Sequence, residues 1–142
     1  MTRTPLPWPA ERFVDADAVE QAIHDPRALV IDARSATRFS HGDPRLDPRP
    51  GHIPEARSAP WEHNLDPLTG RMRPRVSLHR RYAELGAEHA NRIIAYCGSG
   101  VTACHDLLAL ELAGYHSTAL FTGSWSAWAA DAHRPAATGP EA

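Results

Sequence analysis

The segment running from Arg92 through Ala113 constrains this chain more than any other. Residues 92–96, Arg-Ile-Ile-Ala-Tyr, form an apolar run that reads as a buried strand ending at Cys97. Gly98 and Gly100 follow at once, and from Val101 to Ala113 the apolar residues take helical spacing, closed by Gly114. Strand, glycine loop and helix in that order belong to an α/β layer fold with a parallel sheet. A cysteine between the strand and the helix sits where backbone N–H groups converge and the helix dipole is positive. Both favour a thiolate over a thiol, so Cys97 occupies a nucleophile's seat. Cys104 falls inside the first turns of the helix, and there a cysteine reads as a small buried hydrophobe.

The rest of the chain repeats the pattern. Asp15 or Asp17 caps a helix over Ala18–Ile23, and Ala28–Ile31 is a second buried strand, leading into Asp32-Ala33-Arg34. A short helical turn covers Ser35–Phe39, and a proline-rich loop runs from His41 to Pro50, long enough to need a reason. A short strand is expected near Ala56–Pro60, a helix capped by Ser77 and stopped by Gly86, and a last strand over Ser117–Phe121. Residues 1–12, with Pro5, Pro7 and Pro9, read as an extended arm, 13–131 as one domain, and 132–142 as a frayed, flexible tail.

Composition excludes several classes. With 42% apolar and 23% charged residues the 142-residue chain has the make-up of a globular domain with a sizeable core. No apolar stretch is long enough to span a membrane and Met1–Ala10 lacks a signal-peptide core, so no membrane partner and a cytoplasmic location are expected. All fifteen basic residues are arginine, yet the net charge is −2 and no basic face stands out in the sequence, which argues against nucleic acid as a partner. Two cysteines cannot build a disulfide framework, and the nine histidines lack a paired ligand spacing, so no metal and no cofactor are expected.

Four segments together identify a family. They are Val30-Ile31-Asp32-Ala33-Arg34 with Arg38-Phe39, Gly51-His52-Ile53-Pro54, Cys97-Gly98-Ser99-Gly100-Val101-Thr102-Ala103, and Gly123-Ser124-Trp125-Ser126-Ala127-Trp128. In this order, over roughly residues 14–130, the chain resembles the rhodanese-type sulfurtransferases. Within them it is most similar to the C-terminal half of tandem 3-mercaptopyruvate sulfurtransferases. The resemblance implies a rhodanese-like fold, a central parallel sheet flanked by helices. It also implies a persulfide on Cys97, charged by a small-molecule donor and discharged to a thiol or to cyanide. A thioredoxin-like acceptor, a second copy of the chain or a separate rhodanese half are partners in keeping with it.

The same resemblance distributes the roles. Gly98, Gly100, Val101 and Thr102 would bind the donor in the loop, where thiosulfate-specialised members carry basic residues after the cysteine. Ser99 would belong to a proton relay whose histidine and aspartate come from the other half of tandem enzymes. Two arginines hold the carboxylate and keto oxygen of mercaptopyruvate. One matches Arg38. The other, counted six residues back from Gly51, matches Arg45, with Arg49 as the fallback if the shorter loop shifts the register. Asp32, Arg34 and His52 are read as scaffolding, tying loops together by hydrogen bonds. Trp125 and Trp128, three apart, would cover one face of the core or a domain contact. A dual-specificity phosphatase would need arginine where Ala103 stands. The remaining alternative is a catalytically incomplete rhodanese module, or half of a split enzyme, acting in sulfur binding, relay or regulation with a partner.

Overall fold

A computed structural model describes residues 9–142, so most of the expected N-terminal arm, residues 1–8, lies outside the described residues. Five strands form one sheet: β1 (Phe13–Val14), β2 (Ala28–Asp32), β3 (Arg57–Ser58), β4 (Arg92–Tyr96) and β5 (Thr118–Phe121). Their order is β1-β5-β4-β2-β3, and every pairing is parallel. The helices are α1 (Ala16–Ala22), α2 (Ala36–His41), α3 (Arg75–Glu84), α4 (Ala103–Ala113) and α5 (Ser124–Ala130).

Period-two alternation in the strands explains the layers. Leu29, Ile31, Ile93, Ala95 and Cys97 point to one face and meet Leu78 and Tyr82 of α3 and Ala109 and Leu110 of α4. Val30, Ile94, Tyr96, Ala119 and Phe121 point to the other, against Val19 of α1, Phe39 of α2 and Trp125 and Trp128 of α5. Both faces of β2 and β4 are therefore covered, which is why they read as continuous apolar runs. Cys97 extends the β4 alternation toward α3 and α4. Both tryptophans are fully buried core residues.

Caps set the helix starts. Asp15 Oδ1 accepts from Ala18 N at 2.9 Å, and Ser35 Oγ from Arg38 N at 3.3 Å. Three details differ from the sequence reading. Helix α3 begins at Arg75, after Pro74, so Ser77 lies inside it. Helix α4 begins at Ala103 and buries Ala103, Asp106, Ala109, Leu110 and Ala113, a face that leaves Cys104 outward: it is exposed, not a buried hydrophobe. The segment after Asp131 also lies on the body of the domain. Ala137 pairs with His52 by two backbone hydrogen bonds, Trp128 Nε1 donates to Pro135 O at 2.7 Å, and Arg134 reaches Asp17 and Glu20. Those partners are remote in sequence, and composition alone does not show them.

A buried polar cluster clips α3 and the Trp61–Asn64 turn onto α4. Asn64 Nδ2 donates to Asp106 Oδ1 at 2.8 Å, and Tyr82 OH bonds Asn64 Oδ1 at 2.7 Å and Asp106 Oδ1 at 3.2 Å. Arg81 also donates to Asn64 Oδ1. Asp106 Oδ2 is buried with no partner among the described residues. Burial pushes the Asp106 carboxyl up to about 7, outweighing the Asn64 hydrogen bond and the Arg81 charge. In the unfolded chain the same group ionises near 3.8, so between there and neutrality folding must retain a proton that the unfolded chain has lost. Its contribution therefore falls as pH rises through that window. The melting temperature of Asp106→Asn minus that of the wild type should rise from pH 4 to about pH 7 and level off above it. A difference independent of pH would contradict the assignment.

Candidate active site

All five strands run the same way, so their C-terminal ends share one edge of the sheet, where α/β folds place their sites. Cys97 lies there, with only 1% of its surface exposed. Its Sγ accepts a hydrogen bond from Gly100 N at 2.9 Å. Gly100 makes this turn at φ +94°, and a Cβ there would lie 2.8 Å from Thr122 O. The first loop carbonyls face away from the cradle: Cys97 O accepts from Trp125 N at 2.9 Å and Gly98 O from Ser126 N at 3.0 Å. The N–H groups of Gly98, Ser99, Val101 and Thr102 meet no acceptor among the described residues. Successive unpartnered N–H groups in a loop can make a nest for anionic charge, and the negative sulfur that Gly100 N already faces is one such charge.

Arg38 is brought to this loop. A Cβ on Gly98 would sit 2.7 Å from Arg38 Nη2, so any side chain at that position would push the guanidinium away. Asp47 holds the guanidinium in place, accepting from Nη2 at 2.7 Å and from Nε at 3.2 Å. Burial alone would raise the Asp47 carboxyl, but the Arg38 bonds, the Asp43 N–H and the Arg34 charge together hold it below the usual range. Behind it, Arg34 is fully buried, with Nη2 2.7 Å from Asp32 Oδ2 and 2.8 Å from Gly51 O, and Nη1 3.4 Å from Asp47 Oδ1. Although burial disfavours its charge, Asp32 and the other anions around it keep the Arg34 guanidinium more basic than usual. Asp32, Arg34, Asp47 and Arg38 thus form one chain of ion pairs from the sheet edge to the loop.

The second expected arginine is not brought there. Asp43 O accepts from Leu46 N and Asp47 N, a tight turn that directs Asp47 inward and Arg45 outward. The Arg45 side chain is 88% exposed, and its one ionic partner is Asp43 at 3.5 Å. Arg49, the fallback, is used structurally: its guanidinium donates to Asp131 O and Arg134 O, and its carbonyl accepts from Trp125 Nε1 at 3.0 Å. Ser99 is exposed at the loop tip, and its hydroxyl has no hydrogen-bond partner among the described residues. His52 stacks on Phe39 at 3.6 Å, with Nδ1 2.9 Å from Phe39 O, and burial holds it below its usual range by disfavouring the charged form.

Sequence reasoning missed two residues. Asp47 positions Arg38; its signal was an acidic residue inside an otherwise unexplained proline-rich loop. Ser124, fully buried, takes φ +54°, uncommon for a residue with a side chain. Its Oγ accepts from Cys97 N at 3.1 Å and donates to Phe121 O at 2.9 Å. Removing the hydroxyl leaves a buried N–H beside the nucleophile unsatisfied, at a cost of about 1–3 kcal/mol. Ser124→Ala and Ser124→Gly should both slow sulfur loading of Cys97 by about tenfold. A slowing confined to Ser124→Ala would assign the effect to backbone strain instead of the hydroxyl.

Comparison with known proteins agrees with this geometry. A probable 3-mercaptopyruvate sulfurtransferase of Pseudomonas aeruginosa is 43% identical over 131 residues, covering 92% of this chain and 46% of the relative. The 3-mercaptopyruvate sulfurtransferase of Escherichia coli is 37% identical over 127 residues, covering 88% and 44%. The chain thus spans somewhat under half the length of these relatives. Among solved structures, the Tum1 protein of Saccharomyces cerevisiae matches with a TM-score of 0.77 at 26% identity, over 93% of this chain and 48% of its own. The ergothioneine enzyme EanB shares the fold, with a TM-score of 0.82 at 21% identity over 96% of this chain and 33% of its own. The profile of the rhodanese-like domain matches residues 15–131, and the chain belongs to that family.

Proposed function

We propose that this chain is a sulfurtransferase that carries sulfane sulfur as a persulfide on Cys97, with 3-mercaptopyruvate as donor and a thiol or cyanide as acceptor. The observation that carries the reading is the cradle: a cysteine sulfur facing the Gly100 N–H, beneath unpartnered loop N–H groups, with one buttressed guanidinium against Gly98. The Cys97 thiolate attacks the sulfur of mercaptopyruvate, the carbon–sulfur bond breaks, and the carbon takes a proton to leave as pyruvate. The Cys97 persulfide then gives its outer sulfur to an acceptor thiol, forming a new persulfide, or to cyanide, forming thiocyanate, and the thiolate returns. No redox cofactor is consumed in either half. Arg38 forks onto the donor carboxylate and aims its sulfur at Cys97. Thiosulfate, a dianion, loses sulfite in the same attack, but only one guanidinium meets it here, so it is the poorer donor.

A second reading rests on Ser99. Its hydroxyl has no partner to pass a proton to among the described residues, and the relatives are about twice as long. On this reading the relay is completed by a second copy or by a separate rhodanese half, and the chain alone turns over slowly. Turnover with mercaptopyruvate and thiosulfate, followed as pyruvate, sulfite and thiocyanate over a range of protein concentrations, tests both. Mercaptopyruvate turnover exceeding thiosulfate turnover supports the main reading, and specific activity that rises with concentration supports the second. Absence of sulfur transfer from either donor contradicts the main reading, and absence that persists when a separate rhodanese half is added contradicts the second.

A further inference from the structure

No basic face stands out in the sequence as a whole, but the fold gathers one. Five of the fifteen arginines fall within residues 71–81: Arg71, Arg73, Arg75, Arg80 and Arg81. No carboxylate oxygen of a described residue lies within 4.0 Å of any of them, whereas Arg12, Arg27, Arg34, Arg38, Arg45 and Arg134 each make such a pair. Arg73, Arg80 and Arg81 line an open cavity of about 480 Å³ with His63, Ser77 and a single acid, Glu84. Beside them, Leu68 is 94% exposed and Val76 70% exposed. The guanidinium forks of Arg71, Arg75 and Arg80 meet no hydrogen-bond partner among the described residues, and such forks next to exposed apolar side chains are the chemistry of a protein-docking face.

This face flanks the active site. The segment carrying it leaves the same sheet edge as Cys97, with Ala59 N bonded to Asp32 O and Trp61 N to Ala33 O. Arg73 N donates to Asn64 O at 2.9 Å and Arg81 donates to Asn64 Oδ1. Asn64 Nδ2 lies 3.0 Å from Nδ1 of His105, which follows the Cys97 loop in the first turn of α4. Asn64 is itself buried, so it and His105 tie the base of the arginine face to the start of α4, just after the Cys97 loop.

We propose that the Arg71–Arg81 face docks the sulfur acceptor, a protein that presents its accepting thiol within a carboxylate-rich segment. The acceptor step rests on the sulfurtransferase reading; the docking itself does not. A carboxylate-bearing protein is favoured over the phosphates of a nucleic acid because exposed Leu68 and Val76 beside the arginines suit a protein surface, and the chain's net charge of −2 repels a long polyanion. Two uncapped peptides, each with one cysteine, flanked by glutamates in one and glutamines in the other, provide the probe.

At low salt, fluorescence anisotropy should show the glutamate peptide binding about tenfold more tightly, and it should take sulfur from loaded Cys97 correspondingly faster. Added sodium chloride should erase the preference. The triple variant Arg71→Gln, Arg75→Gln, Arg80→Gln changes side chains that hold no hydrogen bond among the described residues. It should lose the preference while transferring sulfur to 2-mercaptoethanol at the wild-type rate. Equal binding of the two peptides, or a preference that survives the triple variant, would overturn the docking face. Tighter binding of a single-stranded oligonucleotide through the same arginines would overturn it in favour of nucleic acid. Wild-type preference in binding with no sulfur delivered to either peptide would leave the face standing and remove the acceptor role.

Discussion

Cys97→Ser is expected to abolish turnover with every sulfur donor, a fall of about 1000-fold or more, to the uncatalysed level. Serine fits the cradle, since it can accept the Gly100 N–H as the sulfur does, and the fold should survive with its melting temperature little changed. What is lost is the polarizable atom that can be both nucleophile and leaving group toward sulfur. Cys104→Ala should retain activity within about twofold of wild type. Cys104 is the exposed thiol, on a groove of about 370 Å³ lined by Leu107, Leu108 and Leu120, and its Sγ lies 3.5 Å from Gly100 O instead of facing the loop N–H groups. Exposure alone would favour Cys104 as the reactive cysteine; the Gly100 N–H that Cys97 Sγ accepts supports the proposal of Cys97 instead.

Arg38→Ala should cost about 2–4 kcal/mol in transition-state binding of mercaptopyruvate, a fall of some 30- to 1000-fold in kcat/KM. The guanidinium is about three-quarters buried, held by Asp47 and pressed on Gly98, so a donor carboxylate beside it would be partly desolvated and the contact strong. Arg45→Ala should cost less than about fivefold, because a screened surface charge contributes roughly 1 kcal/mol at most. Asp47→Asn should weaken mercaptopyruvate through Arg38 without affecting persulfide transfer from a loaded Cys97 to a small thiol. Steady-state kinetics of the three variants check this. A large loss in Arg45→Ala would mean that the 43–47 turn rearranges when the donor enters, and an Arg38→Ala effect no larger for mercaptopyruvate than for thiosulfate would remove the carboxylate role.

The pattern of success in reading this chain follows the range of the interactions. Strands β2 and β4, the glycine loop and α4 were legible because each is defined by apolar period and glycine position within some twenty residues. Cys97, Arg34 and the Gly51-His52-Ile53-Pro54 turn came with them as local motifs. Asp47 and Ser124 were not legible, since one acts across a proline-rich turn and the other from the far end of β5, 27 residues beyond Cys97. Arg45 was assigned by counting along a loop, but the direction of a loop side chain is set by its turn, and here Asp43 sets it. Cys104 shows the same limit within a helix: the core face of α4 runs through Ala103, Asp106, Leu110 and Ala113, and the thiol one residue past Ala103 falls off it into solvent.

The central claim is that sulfur resides on Cys97 between the two half-reactions. Intact-mass analysis after exposure to mercaptopyruvate and removal of excess donor measures it directly, because one persulfide adds one sulfur, about 32 Da. Wild type and Cys104→Ala should each gain that single increment, and brief treatment with cyanide should remove it with release of thiocyanate. Cys97→Ser should gain nothing. A cyanide-labile sulfur that persists in Cys97→Ser, or that disappears in Cys104→Ala, would contradict the account.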